Sequence, residues 1–108
     1  MKLLTKELEA KFAAQGDCSE KKAKDIQVIA KFFNPTGAGT WFLSEWIPED
    51  RVFFGFANLG DPEMAELGYV SLDELESFKG VMGLGIERDL HFKGCTLQEV
   101  IDKRGMMI

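Results

Sequence analysis

Three polar side chains near the end of the chain are the best candidates for chemistry. The sequence alternates over 86–92, which on a β-strand places Glu87, Asp89 and His91 on one face. Two carboxylates and an imidazole can ligate a metal ion or act as an acid–base set. The motif therefore has two interpretations. One is the face of a small metal-dependent or acid–base hydrolase, and the other, which we favour, is a polar strand surface without catalysis.

The remaining reactive side chains lack the partners that catalysis needs. His91 is the only histidine, and Cys18 and Cys95 lie far apart without a C-x-x-C pair. The cysteines are typical of two reduced thiols in a cytoplasmic protein. The glycine-rich segment 80–85 follows a predicted helix, whereas phosphate-binding loops precede one. We therefore expect no metal site and no cofactor.

Length and composition predict one ordinary domain. The chain has 108 residues, of which 45% are apolar and 29% charged, so residues 1–108 are expected to form a single globular domain. No apolar run approaches the ~20 residues of a membrane span, and the first residues turn charged at once. We expect a cytoplasmic protein without membrane contact.

Charge is distributed unevenly. Residues 1–31 carry a net charge of +2 and residues 32–108 carry −7, which together give −5. The segment 45–76 contains nine acidic residues and only Arg51 as a base. Such a surface repels phosphate backbones, so we expect no direct nucleic-acid binding. It suits a protein partner or nucleic-acid mimicry, and the alternative is a solvated face that keeps the protein soluble. The partner-binding candidates are Glu45, Glu49, Asp50, Asp61, Glu63 and Glu66.

Hydrophobic periodicity and capping signals predict the elements. Ser71 with Glu74, and Thr96 with Glu99, are capping boxes that start helices. The predicted helices are 5–15, 72–79 and 97–104, and the predicted strands are 26–33, 41–47, 52–58, 65–70 and 86–92. Short connections favour a meander. The expected fold is α+β, a mainly antiparallel sheet of four or five strands packed by three short helices.

The central strands carry large apolar side chains on both faces. Three short helices can cover one face of such a sheet, but hardly two. We therefore expect the second face to be buried against another copy, in a homodimer. The self-association candidates are Phe33, Phe42 and Trp46, and the alternative is that loops such as 17–25 cover that face.

Three segments of this chain carry a family resemblance. TWFLSEW, ELGYVSLDELE and IERDLHF, in this order and spacing, resemble a bacterial family catalogued as domain of unknown function 2958. The resemblance extends from the start of the chain to Phe92, while the lysine-rich stretch 19–24 and the tail depart from it. It implies short cytoplasmic proteins carried on plasmids, integrative elements and phages, and it brings over no catalytic residue. It favours cargo of a mobile element over an enzyme. Together with the acidic surface, this predicts a non-enzymatic accessory protein of mobile-element origin that binds a protein partner through that surface. One narrower version is nucleic-acid mimicry against a host defence nuclease.

Overall fold

A five-stranded antiparallel sheet organises the chain, in a computed structural model that describes residues 2–106 and 108. Its strands in chain order are β2 (Ala30–Phe33), β3 (Thr40–Ile47), β4 (Val52–Asn58), β5 (Glu66–Ser71) and β6 (Glu87–Arg88), and they lie side by side as β5-β4-β3-β2-β6. A separate two-stranded pair joins β1 (Gln27–Val28) to β7 (Cys95–Thr96). Consecutive strands β2 to β5 are neighbours, so the predicted meander and the α+β class are confirmed.

Three α-helices begin where their capping residues predict. They are α1 (Lys6–Gln15), α2 (Leu72–Ser77) and α3 (Leu97–Lys103). The hydroxyl oxygens of Thr5, Ser71 and Thr96 each accept a hydrogen bond from a first-turn backbone N–H at 3.2 Å. Such caps satisfy donors that a helix start would otherwise leave unpaired. Of the described residues, none lies in a helix long and apolar enough to cross a membrane.

One face of the five-stranded sheet, here called the first face, packs against α1 and α2. Phe53 lies at its centre, with ring centroids 5.5 Å from Phe12 of α1 and 5.7 Å from Phe32 of β2. Leu72 and Leu75 of α2 join the same cluster. Edge-on and tilted ring pairs at these distances add to the stabilisation from burial. The first face is therefore the aromatic core that the strand periodicity predicts.

The opposite face, here called the second face, is covered as well. Phe42 and Phe56 of the sheet pack in one cluster with Leu97 and Val100 of α3, together with buried residues of the loop before β1 and of β1 itself. Phe42 is completely buried. The expectation that Phe42 faces a second copy is wrong, because α3 and the β1–β7 pair lie over it. Phe33 and Trp46, the other two self-association candidates, are half-buried. The homodimer stays a prediction, but the uncovered sheet face on which it was based is absent from the described residues.

A β-bulge in β3 brings two backbones unusually close. The register between β3 and β4 shifts between Leu43 and Glu45, and Leu43 lies opposite Gly55. A Cβ at Gly55 would overlap the carbonyl oxygen of Phe42 and would lie 2.8 Å from the Cα of Leu43. Only glycine fits there. Ser44, in the bulge, is completely buried, and its hydroxyl has no hydrogen-bond partner among the described residues.

Candidate partner-binding edge

The residues expected to do chemistry are not assembled for it. β6 ends at Arg88, so the predicted strand 86–92 is wrong beyond that point, and His91 lies exposed in a turn. Asp89 is 3.3 Å from the ammonium of Lys31, and its other oxygen accepts a hydrogen bond from the backbone N–H of His91 at 2.9 Å. Glu87 lies on the strand opposite Phe33. Within residues 2–106 and 108, no three His, Cys, Asp or Glu side chains are placed to hold a metal ion. The hydrolase alternative stays a prediction with no assembled site behind it.

Both cysteines are free thiols in protected positions. Cys18 is buried and Cys95 is half-buried. Burial raises the pKa of the Cys18 thiol, and the nearby carboxylate of Glu45 adds to the effect. Burial also raises the pKa of the Cys95 thiol, with a further contribution from Glu99. Since the thiolate is the nucleophilic form, neither cysteine is activated for catalysis.

The six acidic candidates do not share one surface. Glu49 and Asp50 are exposed in the turn between β3 and β4, whereas Asp61, Glu63 and Glu66 are exposed at the opposite end of β4, where β5 begins. The remaining candidate, Glu45, lies on the second face. Its carboxylate accepts a hydrogen bond from the backbone N–H of Cys18 at 3.0 Å and holds the 17–25 loop on the sheet.

Helix α2 adds acidic residues that were not named as candidates from the sequence. Asp73, Glu74 and Glu76 are exposed beside the β3–β4 turn. Arg51 lies 2.9 Å from Asp73 and 3.9 Å from Glu76, and its hydrogen bond lowers the pKa of Asp73. We call Glu49, Asp50 and these three residues the acidic group at the β5 end. Asp73 and Glu74 lie in the first turn of α2, where acidic residues are favoured by the helix dipole, so the sequence alone explained them as helix-start residues.

The acidic group at the β5 start consists of Asp61, Glu63 and Glu66. Arg104 lies beside this group, with a guanidinium nitrogen 3.7 Å from the Glu63 carboxylate. Both partners are largely exposed, so this ion pair contributes little stability. Carboxylates outnumber arginines in this group and in the group at the β5 end, so both keep a net negative charge.

β5 is an open edge of the sheet between these two groups. In the described residues it pairs with β4 alone. The backbone N–H of Leu72 donates to the carbonyl of Arg51 at 3.0 Å, so these two residues form a hydrogen-bonded pair at the end of the β4–β5 ladder. Counting from this pair shows which β5 residues bond to β4. Hydrogen-bonded and non-bonded pairs alternate in an antiparallel ladder, so the peptide groups of Leu67 and Tyr69 point outward. Residues 66–69 are exposed, and the side chain of Tyr69 is 69% accessible.

An apolar groove runs beside this edge, mainly on the first face. Its volume is about 450 Å³, and apolar walls come from Trp41, Leu43, Leu59, Met64 and Val70. Clefts that bind ligands span ~300–1,000 Å³.

Gly68 opens the floor of this groove. It lies opposite Gly55 across the β4–β5 ladder, and a Cβ at Gly68 would meet no described atom within 4 Å beyond its chain neighbours. Leu59 and Met64 remain 66% and 76% exposed above it. Sequence reasoning missed the groove, because only the strand register places these residues together.

Fold and edge together define a class: a small α+β meander with helices packed on both faces of the sheet and an open edge at β5. The particular family follows from sequence comparison. A family model described as "Protein of unknown function (DUF2958)" matches residues 3–102, so the chain belongs to that family and the resemblance is confirmed. No curated protein and no solved structure matches the chain significantly. The family description carries no activity.

Proposed function

We propose that the protein is a non-enzymatic accessory protein that binds a protein partner at the β5 edge and at the acidic groups at its two ends. The exposed edge strand carries this proposal. Proteins usually protect a sheet edge with lysine, proline, a bulge or a covering element, because a bare edge recruits other strands. The segment Glu66–Ser71 contains neither lysine nor proline. An edge left in this condition favours a binding role.

The charge around β5 favours a basic partner. Acidic groups at both ends of one strand attract cationic segments over roughly 8–10 Å at physiological salt. Charge complementarity of this kind mainly increases the association rate and excludes acidic competitors. The family resemblance implies carriage on mobile DNA, so under this proposal the partner is a protein of the bacterial host or of the element itself.

Nucleic-acid mimicry is the narrower form of this proposal. The two acidic groups lie at the two ends of β5, whose six residues extend roughly 17 Å at about 3.3 Å per residue. One DNA strand instead presents a phosphate about every 3.4 Å along the axis. Leu67 and Tyr69 fill the gap between the acidic groups with apolar surface. Two acidic groups with apolar surface between them therefore complement a protein segment that has basic ends and an apolar centre. They complement a DNA-binding site less well, because such a site binds an unbroken row of phosphates.

The proposal is tested by neutralising the acidic group at the β5 start. We expect the variant Asp61→Asn/Glu63→Gln/Glu66→Gln to lose a partner that the wild-type protein captures from host lysate. The partner is then purified, and its Kd is measured by calorimetry at low and high salt. We expect the Kd of the wild-type complex to rise with salt, and the Kd of the variant to be at least about tenfold higher at low salt.

A matched control removes the same charge elsewhere. Glu7, Glu9 and Glu20 are exposed carboxylates outside this edge. Their replacement by glutamine changes the net charge equally and is expected to leave the Kd within about twofold of wild type. The proposal is wrong if both triple variants retain the same captured proteins, or if both lose them equally.

A further inference from the structure

We infer that the partner contributes an extended segment that adds as a sixth strand to β5, places a bulky apolar side chain over Gly68 and carries basic residues at both ends. This inference rests on the proposed function and specifies its mode and its ligand class. Three independent features of the edge lead to it: the direction of the free peptide groups, the space above Gly68, and the position of the charges.

The backbone of β5 provides the first feature. The outward peptide groups of Leu67 and Tyr69 offer two N–H donors and two carbonyl acceptors spaced as in a sheet. An extended peptide that pairs with them forms main-chain hydrogen bonds whatever its sequence. Because these bonds do not select a sequence, the specificity must come from the side chains and charges beside the strand.

Gly68 provides the second feature. A partner residue that lies opposite Gly68 directs its side chain to the first face, beside the groove of about 450 Å³. The walls formed by Trp41, Leu59 and Met64 are apolar, so a large aliphatic or aromatic side chain fits there. On the other face, Tyr69 packs against Phe54 with ring centroids 5.4 Å apart and offers a second apolar platform to the next partner residue.

The charges provide the third feature and exclude a second copy as the strand. An antiparallel β5–β5 pair would place the acidic group at the β5 start of one copy beside the acidic group at the β5 end of the other, at both ends of the pair. Like charges placed side by side across a strand pair destabilise that pair. Proteins use such charge repulsion to prevent self-association through sheet edges. A segment with lysine or arginine at each end, separated by about six residues, instead gains attraction at both ends.

The test uses a displayed library of random twelve-residue peptides against the full protein. We expect the enriched peptides to alternate apolar and polar residues over about five positions, with basic residues at both ends. Enrichment of acidic peptides, enrichment of peptides with helical spacing, or no enrichment over a blank surface would overturn the inference.

Two variants at residue 69 test the backbone pairing. Tyr69→Pro removes the outward N–H but no bond to β4, whereas Tyr69→Thr removes the same side chain and keeps that N–H. We expect the enriched peptide to bind the proline variant at least about tenfold more weakly than the threonine variant. Equal affinities, with both variants shown to be folded by circular dichroism, would refute strand addition.

A substitution at Gly68 tests the pocket without relying on proline. Gly68→Val adds branched bulk to open space and suits a strand, so the fold is expected to persist. The enriched peptide should bind this variant at least about tenfold more weakly than it binds wild type. A control peptide, in which the residue expected over Gly68 is replaced by alanine, should bind wild type and variant with equal affinity. Equal loss for both peptides would contradict a side chain over Gly68. If neutralising the acidic group at the β5 start removes the partner but the Gly68 and Tyr69 variants retain it, strand addition fails while the proposed function survives.

Discussion

A pair of glycines that face each other across the β4–β5 ladder should respond oppositely to the same substitution. Gly55 and Gly68 are directly opposite in register. Gly55→Ala places a methyl group onto the β3 backbone, whereas Gly68→Ala places it in the open space of the groove. The contrast tests the geometry of the candidate site itself, because the groove depends on close β3–β4 packing beneath it and free space at the edge.

The magnitudes follow from which atoms must move. Overpacking a core usually costs about 1–3 kcal/mol when side chains can yield. At Gly55 the obstacles are the carbonyl oxygen of Phe42 and the Cα of Leu43, both backbone atoms of a central strand, so we expect a loss at the top of that range. Gly68→Ala meets no obstacle and restricts the unfolded chain, which stabilises by about 0.4–1 kcal/mol where the backbone conformation is compatible.

Urea unfolding followed by circular dichroism measures both variants. With a slope of about 1–3 kcal/mol per molar urea, a loss of about 3 kcal/mol lowers the midpoint by about 1–3 M. Gly68→Ala should leave the midpoint unchanged or raise it slightly. Similar losses at both positions would show that Gly68 is packed against other atoms, and the groove as described would be wrong.

Three further predictions concern the caps, the thiols and the metal question. Ser71→Ala should lower the free energy of unfolding by about 1 kcal/mol, because a backbone N–H at the start of α2 loses its acceptor. Ser44→Ala removes a buried hydroxyl that has no hydrogen-bond partner among the described residues, so the free energy of unfolding should stay the same or rise in the same urea assay. Because their pKa values are raised, Cys18 and Cys95 should react slowly with a thiol reagent near neutral pH and faster as the pH rises. Cys18 should react more slowly than Cys95 because it is more buried, and rapid labelling of Cys18 at pH 7 would contradict its packing. Added zinc or manganese should not raise the melting temperature of wild type, and a rise of several degrees that His91→Ala abolishes would restore the hydrolase alternative.

Local signals in the sequence predicted the helix starts and the meander well. A cap such as Ser71 depends on residues within one turn, and short connections leave little choice of neighbour. Element ends were less predictable. The helix predicted over 72–79 ends at Ser77, and Phe78 is partly exposed beyond it. The predicted strand 26–33 divides at Ile29, because β1 pairs with β7 from the far end of the chain.

Long-range placement explains what sequence reasoning missed. Phe42 was assigned to a self-association face because nothing near it in sequence shows that α3 will cover it. The expected strand ends at Arg88, although the backbone N–H of Asp89 still donates to the Lys31 carbonyl, because the Asp89 carboxylate accepts the backbone N–H of His91 and caps a turn there. The groove over Gly68 exists only through its register with Gly55, which no local pattern encodes.

Amide hydrogen exchange along β5 tests the central claim most directly. In the free protein, the amides of Leu67 and Tyr69 should exchange rapidly and those of Gly68 and Val70 slowly, at every protein concentration. Addition of the enriched peptide should slow exchange at Leu67 and Tyr69 selectively. Slow exchange at all four amides of the free protein, or no added protection with peptide bound, would show that β5 is not an open edge that accepts a strand.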